Sequence, residues 1–267
     1  MPQRGRIPPD RAAARTQSQA RDLPWNLQIV QAERQATIEV LRQRPTTTQV
    51  IELVDNARAG ATHIVRKMLA HHANVPPIAC RAGCMWCCYK SVAVSPPEVL
   101  RIAAYLRATL SPEDLTAVRE RIADLDDQTR TMSSLQREHA CLPCALLVDQ
   151  RCTIYPARPL TCAGWNAVAV NECKAGWLNP EASDKITTNI VQIEAFQAMR
   201  LGIDIGSEEL GFERDTLELT SALRIALDTP DAAERWLRGE RLFAAAHWDD
   251  RQQRPDNEAE TAAPLCS

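Results

Sequence analysis

The sequence has little of what β-rich or membrane proteins need. Its 267 residues include only 9 glycines, and aromatic residues make up 4%. No uninterrupted apolar run approaches the roughly 18 residues that a membrane-spanning helix requires. The N-terminus, Met1 to Asp22, has no apolar stretch of the kind found in secretory signal peptides. From the missing apolar segments we expect a cytoplasmic protein without a membrane partner. Because alanine, leucine, arginine, glutamate and glutamine fill most long segments, we also expect a mainly α fold.

Signatures of common enzymes are also missing. The sequence contains no HExxH metalloprotease motif, no P-loop and no recognisable Ser/His/Asp arrangement. The net charge of −3 and the pI of about 6.0 give no strong nucleic-acid signal. The sequence leaves open whether the protein binds a protein partner and whether it is an enzyme.

Composition and periodicity divide the chain into five segments. The pattern indicates irregular cysteine-rich metal-binding loops embedded in a helical domain. The predicted segments are a disordered basic tail (1–22), an N-terminal helical pair (23–75), a cysteine-cluster metal-binding domain with a helical hairpin insert (76–178), C-terminal helices that pack on the same domain (179–248) and a polar tail (249–267).

Three helix boundaries are marked by local signals. The second helix of the N-terminal pair is expected to begin with Thr47 or Thr48 as its N-cap. Ser95 followed by two prolines and Glu98 predicts another start, with Glu98 at the capping-box position. A later helix over Asp184 to Leu201 is expected to end at Gly202, where a C′ glycine belongs.

Cysteine is the residue that the chain has in excess. In a reducing cytoplasm the ten cysteines are better explained as metal ligands or redox groups than as disulfides. Packing does not account for four cysteines within nine residues. Nine of the ten lie in two clusters: Cys80, Cys84, Cys87 and Cys88 form the first, and Cys141, Cys144, Cys152, Cys162 and Cys173 form the second.

The spacing within the clusters fits metal chelation. Cys84 and Cys87 form a C-x2-C pair, the usual arrangement for tetrahedral sulfur coordination, and the second cluster repeats it with Cys141 and Cys144. If the first segment is helical, its four cysteines fall on one face. Two prolines between Cys152 and Cys162 favour a fixed, non-helical connector. Seven or more ligands exceed one tetrahedral site, so we expect two nearby metals, or a cluster and an ion.

The ordered combination resembles the CxxCxxCC family, the YkgJ-like cysteine-cluster proteins. The matching stretches are Cys80 with Cys84-Met-Trp-Cys87-Cys88, Pro143-Cys144-Ala-Leu-Leu147 and Arg151-Cys-Thr-Ile-Tyr-Pro-Ala-Arg-Pro-Leu-Thr-Cys162. The resemblance implies chelation of zinc or iron, and the family includes flagellin lysine-N-methylases. The predicted ligands are Cys80, Cys84, Cys87, Cys88, Cys144, Cys152 and Cys162. Whether Cys141, Cys173 and His139 also bind stays open, and Cys266 is expected to be a bystander.

Zinc is the preferred cofactor, with iron or an iron–sulfur cluster as the alternative. All-thiolate coordination suits each of them, but the ferredoxin-type run of cysteines is absent. We predict a metal-stabilised binding or structural module. A metal-dependent enzyme resembling flagellin lysine-N-methylase and a metal-handling or thiol redox-sensing protein are the two alternatives.

Overall fold

The structure is a computed structural model that describes residues 24–71 and 76–248. The two predicted tails, 1–22 and 249–267, lie outside these residues, and so does Cys266. Within the described part, every helix is too short or too polar to cross a membrane.

The described residues are mainly helical, as predicted. Their ten α-helices are α1 (Trp25–Leu41), α2 (Thr47–Ala70), α3 (Pro96–Thr109), α4 (Pro112–Thr129), α5 (Ser134–His139), α6 (Leu160–Gly164), α7 (Val170–Leu178), α8 (Ile190–Glu209), α9 (Leu219–Asp228) and α10 (Ala232–Leu237). Short 3₁₀ helices cover Tyr155–Ala157, Pro180–Lys185 and Ala244–Ala246. The described strands form two antiparallel pairs, β1 (Ala93–Val94) with β4 (Leu217–Glu218) and β2 (Leu147–Val148) with β3 (Arg151–Cys152).

Helix α2 begins earlier than the sequence analysis predicted. Its N-cap is Thr46, not Thr47 or Thr48. The Thr46 hydroxyl accepts the Gln49 N–H at 3.4 Å, and the Gln49 side chain accepts the Thr46 N–H at 2.9 Å. Of the three consecutive threonines, only Thr46 has a glutamine three residues later, which a capping box requires.

Helix α3 begins as predicted, with Ser95 as its N-cap. Glu98 accepts the Ser95 N–H at 2.8 Å and the Ser95 hydroxyl at 2.9 Å. Its other carboxylate oxygen accepts the N–H of Leu160 at 2.7 Å. The same buried carboxylate therefore caps α3 and fixes the beginning of α6, the helix that carries Cys162.

The prediction that a helix ends at Gly202 is wrong, because α8 continues to Glu209. Gly202 lies inside α8, where α1 approaches closely. A Cβ atom at this position would lie 2.6 Å from Glu33 Cβ and 2.9 Å from the Val30 carbonyl oxygen. Gly206, one turn later, would place a Cβ 2.7 Å from Thr37 Cβ. These glycines serve close helix packing instead of helix termination.

Replacing Gly202 with alanine is therefore expected to destabilise the protein by roughly 1–3 kcal/mol, because the new methyl group meets the backbone of α1. Urea denaturation would measure the change. The matched control is Gly60→Ala in the middle of α2, where a Cβ would meet only the flexible end of Met199. This control should be neutral or stabilising because alanine favours helix over glycine. Equal midpoints for both variants would contradict the close-packing explanation.

Two hydrophobic cores hold the cysteine-rich segments between them. In the larger core, α3 and α4 both pack against α9, with Ile102, Ile122 and Leu223 fully buried. Cys144 and Cys152 pack against this core. The second core joins α1, α2 and α8 and includes Leu160 and Ala163 of α6, which lie on either side of Cys162. The cysteine segments are thus anchored to both cores.

Candidate metal centre

The segment that carries the first four cysteines consists of turns, not the helix that the spacing suggested. The Cys84 N–H donates to the Arg81 carbonyl at 3.0 Å, and the Cys88 N–H donates to the Met85 carbonyl at 2.8 Å. Gly83 lies between these residues with φ at 90°. Because a positive φ suits glycine and interrupts an α-helix, the chain turns here and its cysteines do not share a helical face.

The second set of cysteines comes from three different local structures. Cys144 begins a turn in which the Leu147 N–H donates to its carbonyl at 2.9 Å. Cys152 lies on β3, opposite Leu147. Cys162 lies on α6, and the connector before it contains the 3₁₀ helix Tyr155–Ala157. The prolines thus prevent one continuous helix between Cys152 and Cys162, as predicted, while each cysteine has its own backbone support.

The two clusters converge in the folded chain. The Cys144 N–H donates to the Cys88 carbonyl at 2.7 Å, which joins the segments directly. Six cysteines line one cavity of about 60 Å³: Cys84, Cys87, Cys88, Cys144, Cys152 and Cys162. A cavity needs only about 10–15 Å³ of accessible volume to hold one water molecule, so this one has room for small ions between the sulfurs.

Cys80 and Cys173 lie beside this group and extend it. The Cys80 sulfur accepts the Ala167 N–H at 3.2 Å. Cys80 is close enough to Cys84 and Cys87 for the three thiols to influence one another electrostatically, and Cys173 is close to the same three. Sequence analysis left Cys173 open. The structure brings Cys173 to the other cysteines, even though it lies outside the stretches that resemble the CxxCxxCC family.

Burial disfavours negative charge on most of these thiols. Desolvation raises the pKa of Cys144 to about 11 and raises the pKa of Cys162 well above its ordinary value. It likewise raises the pKa of Cys173 to about 11, with further increases from Cys80, Cys84 and Cys87. Several thiolates side by side in this environment repel one another, and a bound cation removes that penalty.

Cys87 and Cys88 form a hydrogen-bonded pair at the centre of the group. The pKa of Cys87 is lowered to about 7, chiefly because the Cys88 side chain hydrogen-bonds to it, with smaller contributions from Arg158 and Lys90. The same hydrogen bond raises the pKa of Cys88. Both thiols interact with Cys162. Cys88 also interacts with Cys144, and Cys87 also interacts with Cys80, Cys152 and Cys173.

Donors from the backbone and from Arg158 surround the sulfurs. The N–H groups of Leu146 and Ile154 donate to the sulfurs of Cys144 and Cys152, and each bond lowers the pKa of its thiol. The Arg158 guanidinium lines the cavity and stacks over the Tyr155 ring at 3.9 Å. Such N–H···S contacts and a nearby cation favour thiolates and support metal ligation from outside the ligand set.

The sulfurs are nevertheless spread around the cavity wall. Among the described residues, the one group whose ligand atoms all lie within 4.8 Å of one another is Glu213, Asp215 and His247. Four sulfurs around zinc, at Zn–S distances near 2.3 Å, would be separated by about 3.8 Å. The donor chemistry thus fits a thiolate-bound metal, and metal binding would draw the sulfurs inward.

Cys141 of the second cluster and His139, which precedes it by two residues, do not line the cavity. Cys141 is disulfide-bonded and is not among the described residues that line the cavity, so we leave it out of the proposed ligand set. His139, at the end of α5, does not line the cavity either. Their assignment as ligands stays a prediction.

An open cleft of about 450 Å³ borders the cluster of cysteines, and sequence analysis missed it. Cys87 and Cys162 lie on its wall as well as on that of the smaller cavity. Lys90 also lines the cleft, where its ammonium group donates to Glu138 at 2.9 Å and to Ser183 at 3.1 Å. No sequence motif marks these residues, because they come from segments that meet only in the folded chain.

The aromatic residues near the cysteines have two different roles. Trp86 and Tyr89 pack against Trp177, with ring centroids 5.3 Å and 5.4 Å apart. Trp165 is 36% exposed and lines the open cleft together with Trp248. The cleft therefore combines two indole rings with two thiols.

Comparison with known proteins connects this geometry to a family. Residues 79–181 match the family model CxxCxxCC, described as "Putative zinc- or iron-chelating domain". The match includes all eight free thiols and less than half of the chain. The chain matched no curated protein and no solved structure. The cysteine-rich part of the chain, residues 79–181, is thus similar to the CxxCxxCC family.

Proposed function

We propose that the CxxCxxCC domain binds zinc through its free thiols and that the metal holds the domain together as a binding or structural module. The observation that carries this proposal is the convergence of six cysteines from two separate segments on one cavity. Thiolates that are buried side by side need a cation, and the binding free energy of a structural metal is also folding free energy.

The number of thiols supports two neighbouring four-thiolate centres. Cys80 and Cys173 have Cys84 and Cys87 as electrostatic neighbours, and Cys88 has Cys144 and Cys162, while Cys87 also interacts with Cys152 and Cys162 and so lies between the two proposed centres. A tetrahedral structural zinc site uses four ligands. The proposed outer centre is Cys80, Cys84, Cys87 and Cys173, and the proposed inner centre is Cys88, Cys144, Cys152 and Cys162.

The role as a binding module rests on the cleft next to these centres. Its wall combines the indoles of Trp165 and Trp248 with the Lys90–Glu138 ion pair. Lys90 lies two residues after Cys88, and Trp165 lies three residues after Cys162. Because the proposed metal centres fix the segments that supply these residues, loss of metal would disturb the cleft. We propose that a partner or a small molecule binds here.

The same cleft supports metal handling or redox chemistry as a second candidate. Cys87 and Cys162 lie both at the cavity and on the cleft wall, so a small molecule in the cleft would lie beside two thiols. An enzyme that resembles flagellin lysine-N-methylase would place its substrate in the same cleft. The identity of the metal separates these candidates, because zinc does not change valence whereas an iron–sulfur centre can transfer electrons.

Metal identity gives a direct test. Protein expressed in iron-replete, anaerobic cultures and purified without a metal-affinity tag is expected to be colourless and to contain at least two equivalents of zinc. Elemental analysis, a visible spectrum and an acid-labile sulfide assay provide the measurements. One equivalent would contradict the two-centre arrangement. Stoichiometric sulfide with a brown, reducible chromophore would overturn the zinc proposal in favour of the redox or enzyme candidate, and metal-free folded protein would overturn metal binding itself.

A further inference from the structure

A second group of potential metal ligands lies outside the CxxCxxCC domain. Ligand atoms of Glu213, Asp215 and His247 all lie within 4.8 Å of one another. Glu213 and Asp215 precede β4, and His247 follows the 3₁₀ helix Ala244–Ala246. The group shares no residue with the thiol centres and contains two carboxylates and an imidazole, so its chemistry is different.

Glu213 is buried and held firmly in position. Its two carboxylate oxygens accept the N–H groups of Leu242 and Phe243, at 2.9 Å and 3.0 Å. Its backbone carbonyl accepts the Trp236 indole N–H at 3.1 Å. A carboxylate offers about four acceptor positions, so two hydrogen bonds leave room for a metal bond. Backbone donors that orient a carboxylate in this way are typical of the surroundings of a metal ligand.

His247 brings an imidazole nitrogen to the carboxylates. Its Nε2 atom is buried and makes no hydrogen bond with any of the described residues. This atom lies 3.3 Å from Asp215 Oδ2 without forming a hydrogen bond of acceptable geometry. The backbone around it is fixed, because His247 bridges Leu217 and the Trp248 N–H donates to the Thr216 carbonyl at 2.8 Å.

A simple ion pair between Asp215 and His247 is the competing explanation. It would require a protonated imidazole at His247. The other charged group nearby is Arg241, which lies 4.0 Å from Asp215 Oδ2 and is 77% exposed. An exposed guanidinium at this distance can turn towards solvent, so it does not block the space between the three ligand atoms.

We propose that Glu213, Asp215 and His247 bind a divalent transition-metal ion of the manganese or zinc class. Imidazole together with carboxylates suits these ions. The ion would join the segment before β4 to the segment that follows Ala244–Ala246. It would also fix the backbone next to Trp248, whose side chain lines the cleft beside the thiols. The site does not depend on whether the thiols bind zinc.

Manganese separates this site from the thiols, because Mn²⁺ prefers oxygen and nitrogen ligands to thiolates. The full-length protein would be titrated with Mn²⁺ up to about 1 mM, a limit that still detects weak binding. Electron paramagnetic resonance would follow the signal of the free aqueous ion. We expect one Mn²⁺ to bind per chain. Asp215→Asn and His247→Ala are expected to weaken binding by at least roughly 10–100-fold, since the loss of a group that only supports a metal ligand already costs that much.

The matched control is Asp228→Asn, which removes an exposed carboxylate that pairs with Arg119 outside the group. This variant should bind Mn²⁺ like the wild type. Circular dichroism would show that the Asp215 and His247 variants remain folded, and these two variants carry the test because the buried Glu213 also supports the fold. If the wild-type protein does not reduce the signal of free Mn²⁺, the proposal is wrong and Asp215 and His247 form only an ion pair. Unchanged binding by His247→Ala would overturn it as well.

Discussion

Cys87→Ser and Cys152→Ser are each expected to lose bound metal and to lower the free energy of unfolding by on the order of 4 kcal/mol, the scale seen when a structural metal is lost. The reason is that these cysteines belong to segments that meet only in the folded chain. Cys87 lies in the turns before β1 and Cys152 lies on β3. The proposed outer centre joins Cys87 to Cys173, and the inner centre joins Cys152 to Cys88. Each metal thus links the first cysteine segment to a later one and stabilises the folded state, while the unfolded chain has no preformed site.

Chemical denaturation under reducing conditions and elemental analysis of the same samples would measure both effects together. The matched control is Cys266→Ser, a cysteine that lies outside the described residues and that sequence analysis predicts to be a bystander. It should retain wild-type metal content and, because no disulfide persists under the reducing conditions, wild-type stability. Wild-type unfolding midpoints for Cys87→Ser and Cys152→Ser would contradict the proposal that metal joins the two segments.

Glu98→Ala is expected to cost about 3 kcal/mol of stability, since two buried backbone N–H groups would lose their acceptor at about 1–3 kcal/mol each. These are the N–H groups of Ser95 and Leu160, which bond to opposite oxygens of the Glu98 carboxylate. Leu160 precedes Cys162 by two residues on α6. The variant should therefore also release metal to a chelator faster than the wild type does.

Two further variants separate this effect from a general helix-cap effect. Glu98→Gln keeps one oxygen acceptor and should lose less stability than Glu98→Ala. Glu113→Ala removes an exposed glutamate from the first turn of the next helix, α4, and should change stability little. Thermal unfolding and the rate of metal release would be measured for all three. If Glu98→Ala unfolded like wild type, the carboxylate would not be the link between α3 and α6.

Local signals predicted the helices well where short-range contacts decide the structure. The Ser95 start was correct because its capping box involves residues only three apart. The Thr46 start was placed too late because the prediction did not use the glutamine at position 49. The end at Gly202 was wrong for a different reason: the same glycine suits a helix terminus and a helix contact, and only α1 reveals which applies.

The cysteine site shows the same division. Spacing and residue type alone pointed to chelation, and the family match confirmed a zinc- or iron-chelating type of domain. The helical arrangement expected for the first four cysteines was replaced by turns, because Gly83 adopts a positive φ. The sequence left Cys173 open, and the fold brought it close to Cys80, Cys84 and Cys87.

The sequence by itself determined the mainly helical class, the chelating residue types and the similarity to the CxxCxxCC family, because these depend on periodicity and on short spacings. Only the tertiary structure decided which thiols share a cavity, that a cleft lined by Trp165 and Trp248 borders them, and that His247 meets Glu213 and Asp215. The physical reason is that these groups are far apart along the chain. Their positions follow from the burial of two hydrophobic cores, which no local pattern of residues specifies.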